Sequence, residues 1–116
     1  MTDGQTTRPQ AGAVVVVVGG PALLVDATRQ AAGVAAAARV ELAELGTAAT
    51  VAALHRPFAI VMSEDVYAFD AVEFEALARD VGATLVRVEL AGGVGRNELE
   101  RALMPRLGRA LRKVDV

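Results

Sequence analysis

The chain has 116 residues, one histidine, no cysteine and a formal net charge of −2. That length suits a single domain with a modest core, and the composition excludes disulfide frameworks, thiolate metal sites, cysteine nucleophiles and multi-histidine centres. A near-neutral charge and 3% aromatic residues supply neither the field nor the stacking platforms that nucleic acid binding uses.

Residues 1–12 are polar and read as a flexible tail ahead of one domain over 13–116. They hold no basic region followed by an apolar core, so they are not a secretory signal. The apolar stretches are too short or too interrupted to span a bilayer. The expectation is a cytoplasmic protein without a membrane span, a cofactor or a metal.

Ala13–Val18 is a run of apolar, mostly β-branched residues without alternation, as in a strand buried on both faces. Gly19-Gly20 ends it, and Pro21 suits the first turn of a helix. Ala22–Arg39 is alanine-rich and helical, with few charges. Its exposed side would present alanine and valine, and such patches mark contacts. Val40–Glu44 reads as a second strand nearer an edge, and Gly46-Thr47 as a turn and N-cap. Ala48–His55 is a short helix stopped by Pro57.

Phe58–Met62 is the third strand and delivers Ser63 to the carboxyl edge of the sheet, where ligands bind in open α/β folds. Asp70–Val81 is the next helix, with Val72, Phe74, Leu77, Ala78 and Val81 on one broad face. Gly82 closes it. Thr84–Glu89 is the fourth strand, followed by the glycine loop Ala91–Gly95. The last helix starts at Asn97, with Asn97 and Glu100 as a capping box. Leu99, Leu103, Leu107 and Leu111 form one stripe, and Pro105 is expected to kink or divide the helix. Alternating strands and helices at this spacing predict an α/β three-layer sandwich with a short parallel sheet of about four strands.

Arg56-Pro57, the strand ending at Ser63, and then Asp70-Ala71-Val72-Glu73-Phe74 together resemble a response-regulator receiver domain, a flavodoxin-like fold. The likeness runs from about Ala13 to Val88. It places the phosphoacceptor position at Ser63 and the metal-holding acids of the first strand at Gly19-Gly20. The phosphate-sensing hydroxyl of the fourth strand falls at Glu89, and no lysine precedes Lys113 to serve the fifth. One βα unit is missing after Glu89, unless Gly82-Ala83 is instead the entry to the fifth strand. Aspartyl phosphorylation needs a carboxylate nucleophile and a divalent cation. Only Glu64 and Asp65 lie beside Ser63 in sequence.

The resemblance therefore implies a degenerate pocket of Gly19, Gly20, Ser63, Glu64, Asp65 and Glu89. It further implies a non-catalytic pseudo-receiver of two-component signalling that docks a protein partner or a second copy. No residue is assigned a catalytic role on this reading. The alternative is a nucleotide or phosphate sensor. The Gly19-Gly20 turn and the loop of Gly92, Gly93, Gly95 and Arg96 would bind the anion on helix N-terminal amides. The plainer reading of both loops is backbone geometry. His55 reads as a helix-end or surface residue. Arg96, Arg101, Arg106, Arg109, Arg112 and Lys113 read as the solvated face of a docked helix.

Overall fold

The computed structural model describes residues 13–115; the expected tail at 1–12 lies outside them. Among the described residues, four strands and five α-helices succeed one another: β1 (Val14–Val18), α1 (Ala22–Ala36), β2 (Arg39–Ala43), α2 (Ala48–His55), β3 (Ala59–Ser63), α3 (Glu64–Phe69), α4 (Ala71–Val81), β4 (Thr84–Val88) and α5 (Arg96–Asp115). A 3-10 turn, Leu45–Thr47, leads into α2. All strand pairs are parallel, in the order β2-β1-β3-β4. This is the doubly wound flavodoxin-like order, ending where a fifth strand would join β4.

Strand alternation splits the core into two layers. Val15 and Val17 of β1, Val61 of β3 and Val86 of β4 meet α1 and α5. Val14, Val16 and Val18, with Ile60 and Met62, meet α2 and α4. The central strands β1 and β3 are buried on both faces. That explains their unbroken apolar sequences.

On α1, Ala27, Ala31 and Ala32 are buried. Their small side chains let α5 pack against α1, and the leucines at 99, 103 and 107 fill that layer. The charge-poor helix is thus covered on much of the side expected to face water, although Val34 remains exposed. Gly20 is fixed by the same packing: a Cβ there would stand 2.8 Å from Leu24 Cδ2, which is fully buried.

Several local expectations are corrected. The segment after Ser63 is a separate helix, α3, which the acids Glu64 and Asp65 favour in its first turn. Val72 is 80% exposed and lies off the buried face of α4, which is carried by Phe74 and Ala78. The last helix starts one residue earlier and runs as a single α-helix through Pro105. Its capping contact is Glu98 Oε1 accepting from the Gly95 N–H at 3.2 Å, and not an Asn97–Glu100 pair. The proline ring is exposed, so only one backbone bond is lost while the leucines stay docked.

Candidate functional site

At the carboxyl edge of the sheet, backbone donors meet acceptors from the chain itself. The Gly19 N–H donates to Ala43 O at 2.8 Å, with Gly19 at φ +62. Ser63, 6% exposed, accepts from the Val66 N–H at 3.2 Å and so caps α3. Between the ends of β1 and β3 the space is apolar: a methyl on Gly19 would meet Val66 Cγ2 at 3.6 Å.

Glu64 turns to the edge strand β4 and binds Arg87 Nη2 at 2.9 Å. The Arg87 guanidinium lies 3.8 Å from the centre of the Tyr67 ring, whose hydroxyl donates to Glu75 at 2.7 Å. That bond to a carboxylate raises the Tyr67 phenol above its ordinary value of 10.0. Asp65 is exposed in the first turn of α3. Glu89 accepts from the Ala91 N–H at 3.1 Å. Gly92 and Gly93 form the turn after β4, both at positive φ, and Arg96 pairs with Glu100 at 3.3 Å. The two glycine loops thus have acidic or carbonyl acceptors of their own on the Gly19, Ala91 and Gly95 amides.

A cleft of about 400 Å³ opens at this edge beside β2, lined by Gly19, Gly20, Leu42, Glu44 and Thr47 among others. Thr47 Oγ1 accepts from the Glu44 N–H at 3.2 Å. Among the described residues, no group of three or more His, Asp or Glu side chains is arranged to hold a metal ion.

A second ionisable cluster lies elsewhere, on the α2 face of edge strand β2. Residues two apart on a strand share a face, so Arg39 and Glu41 both stand beside the last turn of α2. Ala48 and Ala52 bury that helix close to the sheet, and its end brings in His55. Arg39 Nη2 is 3.3 Å from His55 Nδ1, and Arg39 Nε donates to Glu41 Oε2 at 3.0 Å. Glu41 Oε1 stands 3.8 Å from His55 Nε2. The three side chains form a closed ring of contacts.

A guanidinium only donates, so a hydrogen bond from Arg39 requires the tautomer in which Nδ1 accepts and Nε2, on the side of the carboxylate, carries the proton. The imidazole is 23% exposed and the Arg39 and Glu41 side chains more so. Sequence reasoning places His55 at a helix end but misses its partners. The available signal is Arg39-Val40-Glu41, a strand whose outer face alternates opposite charges.

Neither a family model nor a curated protein sequence matches this chain. Among solved structures, it is similar to the lactose-specific IIB component domain of the phosphoenolpyruvate:carbohydrate phosphotransferase system from Streptococcus pneumoniae. The TM-score is 0.53 at 18% identity, over 87% of this chain and 91% of that one. At this identity the likeness establishes the fold, an α/β three-layer sandwich of flavodoxin-like type. It also corrects the sequence-based resemblance, because that neighbour is not a receiver domain. The pseudo-receiver identity, the two-component assignment and the non-catalytic docking function do not stand, and neither does the expectation that the chain is no enzyme. The misleading signal has a physical source. Spacing from Arg56 to Phe74 reports the length of a βα unit, which all flavodoxin-like sheets share, and not the chemistry of one pocket. Among the described residues no helix is long and apolar enough to cross a membrane.

Proposed function

We propose that this chain is a phosphoryl-carrier domain, in which His55 accepts a phosphoryl group from one protein and yields it to another. The observation that carries the reading is the ring of contacts joining Arg39, His55 and Glu41. The fold shared with a domain of a phosphotransferase system supports the class of chemistry. With no cysteine in the chain, a thiolate cannot carry the group. Ser63 Oγ is nearly buried and occupied as a cap.

Each residue has a role that its chemistry dictates. The Nδ1 lone pair attacks the phosphorus of a phosphorylated donor. The N–P bond forms as the donor's bond to phosphorus breaks, and the donor keeps that electron pair. Arg39 moves from Nδ1 to the phosphoryl oxygens, where a guanidinium binds in a planar fork and offsets the developing charge. The carboxylate of Glu41, facing the Nε2 proton, stabilises the positive ring while the group is attached. In the second transfer an acceptor nucleophile attacks phosphorus and the electron pair returns to Nδ1.

Potassium phosphoramidate, a small phosphoryl donor, tests this directly. Intact-mass measurement should show one added phosphoryl group, stable in alkali and lost in acid as a phosphoimidazole is. Ser63→Ala should keep the adduct, His55→Ala should lack it, and Arg39→Met should form it about a hundredfold more slowly. If no adduct forms, or if one persists in His55→Ala, the proposal fails.

A further inference from the structure

On the face carrying α2 and α4, a groove of about 260 Å³ runs between the two helices. Its apolar lining includes Leu45, Leu77 and Phe69, and the Phe69 ring is 75% exposed where α3 meets α4. The charged residues of the lining are Asp70, Glu73 and Asp80, all acidic. An aromatic ring left in water beside a concave apolar surface marks a contact site. A rim of one sign selects the partner's charge.

We infer that this groove docks a helix of a partner protein that presents bulky aliphatic side chains flanked by lysine or arginine. Helix-in-groove recognition places such anchors at positions i, i+3 or i+4 and i+7. The groove walls are themselves two helices, and the acids stand where flanking cations would reach. A second copy of this chain fits less well. Its cationic helix is α5, but Leu99, Leu103 and Leu107 are spent against α1, so it offers charge without anchors. The inference stands on the groove alone and does not depend on His55.

The test uses a synthetic amphipathic helical peptide of leucine and lysine and a scrambled peptide of the same composition, titrated against the full chain. The amphipathic peptide should bind at least about tenfold more tightly than the scrambled one. The triple variant Asp70→Lys, Glu73→Lys, Asp80→Lys and the single variant Phe69→Ser should each weaken binding by about tenfold or more. Asp26→Lys, at an exposed position of α1 outside the groove, should leave it unchanged. Circular dichroism checks that each variant is folded. Equal binding of the two peptides, unchanged binding by the groove variants, or no binding at all overturns the inference. It is likewise overturned if the chain alone self-associates in sedimentation and Phe69→Ser abolishes that, since the occupant is then a second copy.

Discussion

Ser63 illustrates how one residue's role depends on its neighbours along the chain. In the sequence it is the polar end of a buried strand. In the fold its hydroxyl accepts the Val66 N–H and starts α3, with Glu64 and Asp65 in the positive first turn. Ser63→Ala should therefore destabilise the protein by about 1 kcal/mol in a denaturant titration. Ser63→Asp, which preserves a capping oxygen, should cost less than Ser63→Ala. The signal for this cap is present in Ser63-Glu64-Asp65. It escapes a reading by pattern because a six-residue helix shows too little periodicity to stand apart from α4. His55 is legible in the sequence only as a helix end. Its partners are 16 and 14 positions away, and no local pattern joins them (55 − 39 and 55 − 41).

At the scale of elements, α5 shows tertiary packing overriding propensity. Pro105 removes one intrahelical bond, at the carbonyl of Arg101, yet the helix runs on because its leucines are held by α1 and the sheet. The proline is exposed, so replacing it disturbs no packing. Pro105→Ala should raise stability by about 1–2 kcal/mol, after allowance for the looser unfolded chain. Differential scanning calorimetry would register it as a higher Tm; a lower Tm would show that the proline is required. Strand β2 makes the complementary point. Its outer residues Arg39 and Glu41 are polar because α2 covers only part of that face, and the same partial cover lets them reach His55.

For the whole molecule, the sheet order β2-β1-β3-β4 puts two apolar strands in the centre and two mixed strands at the edges. The α1–α5 layer rests on residues far apart in the chain. Leu103, fully buried there, should cost about 2–5 kcal/mol when truncated to alanine. Urea unfolding measures this, and a loss below about 1 kcal/mol would mean that the layer can collapse around the gap.

The sequence by itself determined the strands and most helices, because β-branched runs, helical periodicity, glycine stops and proline positions act over a few residues. It also determined that no thiolate chemistry is available. The sequence also marked the second strand as lying near an edge; only the tertiary structure decided that β4 is the other edge, how the carboxyl-edge amides are satisfied, and which acids line the groove beside Phe69. It alone brought Arg39, Glu41 and His55 together. These are contacts between segments distant in sequence, and they arise from how two helical layers pack on one sheet. Local patterning carries little information about that packing, so the receiver-like spacing and the chemistry of the site could part company.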